Sequence, residues 1–162
     1  MLPLQLRLSA PLFETLVSVG NRLAVAVDPW WVIGSAAAAL YGLDAASVGD
    51  VDVVTSVADA RGLLAGPNAV AIDDGGKGSF RSEVFVHLTG LPMTVEILGG
   101  FSARGARLAI ATRVAAPVGE TLVYLPERKE LVAILRLFGR PKDLARAAAL
   151  AALGGAAAGT CD

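Results

Sequence analysis

Cysteine occurs once in the 162 residues, as Cys161, so the chain can form no disulfide within itself and no cysteine metal site. Histidine also occurs once, as His87; a single histidine on an alternating segment, with no other ligand close in sequence, reads as structural. Charged residues are sparse, 18% against 54% hydrophobic, yet no apolar run is long enough to span a bilayer. The longest strongly apolar stretch without a charge covers residues 30–43, and Gly34 and Gly42 interrupt it. The alanine- and glycine-rich residues 147–160 are also short and only weakly apolar. The N-terminus lacks a basic region ahead of an apolar core, so no signal peptide is expected. No block of like charge forms a nucleic-acid-binding arm, and there is no internal repeat or linker. These absences lead to the expectation of a soluble cytoplasmic protein with no membrane partner. It is read as one domain over residues 1–162, with a core over about 10–125, C-terminal helices over about 126–153 and a tail from 154 to 162.

The net charge of −1 is unevenly spread. Residues 1–100 hold 5 Lys/Arg and 10 Asp/Glu, whereas residues 101–150 hold 9 and 4. A metal site needs acids and a triphosphate needs bases, so this asymmetry fits a nucleotide held between the two parts. Many of the C-terminal bases read equally well as a solvated helix face.

Hydrophobic periodicity divides the chain into strands and helices. Leu2, Leu4, Leu6 and Leu8 alternate as on an edge strand, and Leu12, Leu16, Val19 and Leu23 predict a helix over residues 10–26. Residues 30–33 are a short strand that turns at Gly34-Ser35 into an alanine-rich helix ending near Gly42. Residues 50–54 are a strand. Ser56-Val57-Ala58-Asp59 resembles a capping box and opens a helix that stops at Gly66-Pro67. Strands follow at 69–72, 80–88 and 93–98, the last two joined as a hairpin by residues 89–92. Asp73-Asp74-Gly75-Gly76 reads as a turn, as do Asp28 and Asp44. One or two further strands are expected over 101–125, with a turn at 117–119. Pro126 is placed at the start of a helix with the stripe Leu131, Ile134, Leu135 and Phe138. Gly139 stops that helix, Pro141 starts another, and Gly154-Gly155 ends it. The pattern predicts an α/β (α+β) fold, a twisted mixed sheet flanked by helices with a C-terminal helical pair.

The chemistry concentrates in Gly49-Asp50-Val51-Asp52-Val53-Val54. Side chains at i and i+2 on a strand share a face, so Asp50 and Asp52 project together while Val51 and Val53 turn to the core. Adjacent carboxylates repel unless a cation lies between them, and hard oxygen ligands of this kind suit magnesium bound with substrate phosphates. Glu96, in Thr94-Val95-Glu96-Ile97-Leu98, joins them if its strand lies beside theirs. Gly34-Ser35, where a strand gives way to a helix, offers free backbone N–H groups for an anion. Trp30 and Trp31 are expected in the core, Trp30 with the option of lining a nucleotide pocket.

Ile33-Gly34-Ser35, Asp50-Val51-Asp52 and Val95-Glu96-Ile97, in this order and spacing, resemble the nucleotidyltransferase superfamily with the DNA polymerase β-like fold. The tail Leu137-Phe138-Gly139-Arg140-Pro141-Lys142-Asp143-Leu144 is similar to the helical tail of small bacterial nucleotidyltransferase-like proteins, including relatives of AbiEii toxins. The resemblance covers roughly residues 30–98 and, more loosely, 120–150. It implies that Asp50, Asp52 and Glu96 are catalytic and hold Mg2+ or Mn2+, that Gly34 and Ser35 hold the terminal phosphates of an NTP, and that an acceptor hydroxyl attacks the α-phosphate. Active members often carry Arg or another polar residue after the Gly-Ser pair. This chain has Ala36, Ala37, Ala38 and Ala39 there, so cations must come from elsewhere, with Lys77, Arg81 and Lys142 as candidates. The acceptor, a small molecule, a protein or an RNA end, is left open, and its recognition is expected to involve a homodimer or partner protein. Two alternatives stand beside this reading. One is an inactive member of the fold acting as a binding or regulatory subunit in a toxin–antitoxin or defence pair. The other is a haloacid dehalogenase-type phosphatase, with Asp50 as nucleophile and Asp52 as acid/base.

Overall fold

The structure is a computed structural model that describes residues 7–72 and 78–159, with only the backbone described over 154–159. The predicted edge strand over residues 2–8 lies mostly outside the described residues, and Arg7 and Leu8, which are described, are not in a strand. The elements run α1 (Ala10–Arg22), β1 (Trp31–Ile33), α2 (Gly34–Leu40), β2 (Asp50–Thr55), α3 (Val57–Ala65), β3 (Ala69–Ala71), β4 (Phe80–Leu88), β5 (Thr94–Ala103), β6 (Ala106–Arg107), β7 (Val114–Val118), β8 (Thr121–Leu125), α4 (Arg128–Phe138) and α5 (Pro141–Gly159). Six strands form a mixed sheet in the order β1-β2-β5-β4-β3, with β6 on the end of β5, while β7 and β8 form a separate hairpin. Only β2 and β5 pair in parallel; β1–β2, β4–β5 and β3–β4 are antiparallel. The predicted mixed α/β sheet with helices and a C-terminal helical pair is what the chain forms. No helix among the described residues is long and apolar enough to cross a membrane.

The sheet has two apolar faces of unequal size. On one, Val51, Val53, Val86, Val95 and Ile97 pack with Leu12, Leu16 and Val19 of α1, Ala36–Ala39 of α2 and Ala60 of α3. On the other, Ile33, Val54, Leu98, Phe101 and Ala103 pack with Ile134 and Phe138 of α4. The second face carries the acids. Gly100 makes it continuous: its φ of +65° interrupts the strand alternation of β5, so that Phe101 and Ala103 fall on the same face as Glu96 and Leu98. A Cβ there would lie 2.7 Å from Val57 Cγ2.

Several boundaries differ from the sequence expectation. The first helix ends at Arg22 and tightens into a 3₁₀ turn over Leu23–Val25. Ser56 caps α3 by accepting from the Asp59 N–H at 3.1 Å. The Asp59 carboxylate does not close the capping box. It accepts from the Val27 and Asp28 N–H groups at 3.0 and 2.9 Å and ties that loop to α3. Pro117 pairs with Leu122 inside the β7–β8 hairpin, whose turn follows Val118. Pro126 is not the first helical residue: its carbonyl accepts from Tyr41 Oη at 2.6 Å, and α4 begins at Arg128. Gly139 ends α4 with a left-handed φ of 73° as expected, but α5 runs through Gly154-Gly155 to Gly159.

Candidate metal centre

Asp50 and Asp52 lie on the acid-bearing face of β2, with Val51 and Val53 fully buried behind them. The parallel register sets Asp52 directly against Glu96 of β5, and Asp50 against Thr94. One carboxylate oxygen from each of Asp50, Asp52 and Glu96 falls within 4.8 Å of the other two, and all three residues are half-buried. Gly34 adopts a φ of +66° at the end of β1, and a Cβ there would lie 3.3 Å from Asp52 Oδ2. Glycine thus brings the backbone of the Gly34-Ser35 turn against the cluster.

The three acids strain one another electrostatically. Asp52 is pushed well above the usual carboxylate range by burial, by a hydrogen bond shared with Glu96, and by the charges of Asp50 and Glu96; Arg140 opposes this. Asp50 is raised by burial and by Glu96, and lowered by Lys142, Arg140 and Arg146. Oxygen donors that repel one another at this spacing fit a divalent cation, whose charge would relieve the repulsion.

The other predicted residues separate into groups. Ser35 is half-buried beside Gly34. Lys142 is exposed near the start of α5, close enough for its charge to act on Asp50. Arg81 lines a cavity of about 340 Å3 that opens beside Asp52 and Glu96. Lys77 and the Asp73-Asp74 turn lie outside the described residues. Trp30 does not reach this cavity: it packs edge-on against Tyr124, lining a separate cavity of about 500 Å3. Trp31 is on the acid-bearing side, its Nε1 donating to the Thr112 carbonyl at 2.9 Å. Ala36–Ala39 are each at most 1% exposed. Close packing of α2 on the sheet leaves no room there for a larger side chain.

Two residues at the site escaped the sequence reading. His87 pairs with Glu96 across β4–β5, its Nε2 3.6 Å from Glu96 Oε1. That nitrogen is buried and has no hydrogen-bond partner among the described residues. The signal was present, since His87 shares a strand face with Phe85, but only the register of the hairpin brings it to Glu96. Arg140 lines the same cavity, its guanidinium 4.9 Å from the Phe80 ring centroid. It is held there by the Asp143 carboxylate, with Nε donating at 2.6 Å and Nη2 at 3.1 Å.

Neither a family model nor a curated protein matches the chain. Solved structures do match its fold. A protein from Thermotoga maritima, described as a nucleotidyltransferase by assignment only, superposes with a TM-score of 0.63 at 19% identity, covering 80% of this chain and 86% of that one. An antigenic nucleotidyltransferase-like protein from Paracoccidioides brasiliensis superposes with a TM-score of 0.57 at 19% identity, covering 90% of this chain and 78% of its own. The chain therefore has the fold of these two structures, and its three clustered carboxylates could hold a metal ion.

Proposed function

We propose that the protein is a metal-dependent nucleotidyltransferase, moving a nucleoside monophosphate from an NTP to an acceptor hydroxyl. The observation that carries this is the meeting of Asp50, Asp52 and Glu96 within 4.8 Å across two paired strands. In this reading Asp50, Asp52 and Glu96 hold Mg2+ or Mn2+, which when bound would offset phosphate charge and make the acceptor hydroxyl easier to deprotonate. Glu96 accepts the proton of that hydroxyl. The hydroxyl oxygen bonds to the α-phosphorus, the bond from that phosphorus to the bridging oxygen breaks, and pyrophosphate leaves with the electron pair. The backbone at Gly34-Ser35 lies against the terminal phosphates. Lys142, Arg81, Arg140 and, by its place in the sequence, Lys77 supply positive charge.

The reading as an inactive binding subunit drew its support from the alanine run, and tight packing of α2 gives that run a structural reason of its own. A phosphatase using Asp50 as nucleophile would leave Glu96, directly across from Asp52, without a task. The test is transfer of label from α-phosphate-labelled NTPs, with Mg2+ or Mn2+, to a panel of small, protein and RNA acceptors. The proposal expects metal-dependent transfer that Asp52→Asn abolishes. A fully active Asp52→Asn enzyme would overturn it.

A further inference from the structure

The cavity beside the carboxylates bears on the acceptor. Its volume of about 340 Å3 lies within the range of small-molecule sites. Asp52 and Glu96 line it, whereas Asp50, Gly34 and Ser35 do not. It opens over Asp52 and Glu96, with Ile33, the residue before the Gly34-Ser35 turn, on its wall. Four phenylalanines line it: Phe80 and Phe101 stack with centroids 6.2 Å apart, Phe138 meets Phe80 edge-on, and Phe85 meets His87 edge-on at 5.3 Å. Such walls suit a planar apolar body. A ribose-phosphate strand would need a track of free cations. Among the described residues lining the cavity, Arg81 and Arg140 are the only cations, too few for such a track. At the inner end, the gap of 3.6 Å between His87 Nε2 and Glu96 Oε1 is too long for a hydrogen bond, and Nε2 is unsatisfied. A hydroxyl group entering the cavity meets the Glu96 carboxylate, which lines it.

We propose that this cavity is the acceptor site and that the acceptor is a small, ring-bearing alcohol or phenol, its ring against Phe80 and Phe85 and its hydroxyl at Glu96. The inference rests on the nucleotidyltransferase reading and names its acceptor class. It offers a site for acceptor recognition within the chain itself, beside the expected homodimer or partner protein. The hydroxyl oxygen forms the new bond to the α-phosphorus, its proton passes to the Glu96 carboxylate, and the pyrophosphate oxygen departs with the electrons of the broken bond.

The probe is 2-naphthol, whose fluorescence reports its surroundings, titrated into the full chain with and without ATP and magnesium. The expected result is saturable binding. Ser82→Phe, which fills the cavity from its wall, weakens that binding at least about tenfold. Phe85→Leu, which removes the ring but keeps an apolar side chain, weakens it about threefold or more. Should Ser82→Phe fail to fold, Phe85→Leu carries the comparison. Magnesium and ATP leave the binding in place. Absence of saturable binding, binding that Phe85→Leu leaves unchanged, or displacement by ATP overturns the inference; displacement would make the cavity the nucleobase site. A nucleotide response without 2-naphthol binding overturns this inference alone and leaves the transferase reading standing. 2-naphthol binding without any nucleotide response overturns both, since an acceptor site requires a donor.

Discussion

Asp52 and Glu96 face one another across the parallel β2–β5 pair, in a cluster that also includes Asp50. Burial and the neighbouring acids raise Asp52, and burial and Glu96 raise Asp50. The relationship gives the metal-free protein a distinctive response to pH.

With Asp52 and Asp50 both raised in the folded state, the native protein binds more protons than the unfolded chain above the ordinary carboxylate pKa of about 4. Stability without metal is therefore complete below that pH, falls as pH rises through the raised folded values, and levels off above them. Asp52→Asn removes the part of this loss that Asp52 contributes. The variant should melt higher than wild type at pH 7 in EDTA, with the difference shrinking toward pH 4. Thermal melts across that range check this; a variant less stable at pH 7 would contradict it.

Gly34→Ala places a Cβ 3.3 Å from Asp52 Oδ2 at a φ of +66°. It should destabilise the fold by roughly 1 kcal/mol or more and weaken nucleotide binding beyond that, because the added methyl group occupies the approach to the cluster. Urea unfolding paired with nucleotide titration separates the two effects. Unchanged nucleotide affinity would detach this turn from the site.

Gly100→Val should be more damaging, by roughly 2–5 kcal/mol. The new side chain must enter a left-handed conformation against Val57 Cγ2, 2.7 Å from the Cβ position. The turn-over of faces at Gly100 that joins Phe101 to Glu96 is what this substitution attacks. A shift of the urea midpoint measures it, and a neutral outcome would show that the strand tolerates the Cβ.

Arg140→Ala leaves the Asp143 carboxylate, whose side chain is 1% exposed, without its ion-pair partner. Since Arg140 itself is 45% exposed, the expected cost is about 1–3 kcal/mol, and adding Asp143→Asn should recover part of it. Loss of the Arg140 charge also removes a cation that would repel a divalent ion beside Asp50 and Asp52, so manganese affinity should rise in Arg140→Ala. Denaturation and manganese titration followed by electron paramagnetic resonance report the two consequences separately.

The local half of this architecture was legible in the sequence. Period-2 alternation placed Asp50 and Asp52 together and Val51 and Val53 beneath them, because a strand face depends only on the strand itself. Ser56, Gly66-Pro67 and Gly139 marked helix ends through backbone chemistry that acts within a few residues. What depended on long-range pairing was not legible. The register that sets His87 and Asp52 on either side of Glu96 comes from two different strand pairs, 9 and 44 residues apart in the chain. Ala36–Ala39 read as a missing phosphate grip because nothing in their own sequence reveals the sheet packed against them. Pro126 was misplaced for the same reason, since its carbonyl is held by Tyr41, 85 residues away. Lys142 drew attention that Arg140 equally merits, and only the Asp143 pairing shows which of the two is anchored beside the cavity.

The central claim is a metal-dependent nucleotide site at the three acids. Thermal stabilisation by ATP, GTP, CTP and UTP, each with magnesium or manganese, tests it on wild type and on the Asp50→Asn/Asp52→Asn double variant. A ligand at a hundredfold its dissociation constant adds about 2.7 kcal/mol, a shift of several degrees for a protein of this size. The account predicts a metal-dependent shift with at least one nucleotide that disappears in the double variant. No shift with any nucleotide, or an equal shift in the double variant, would contradict it.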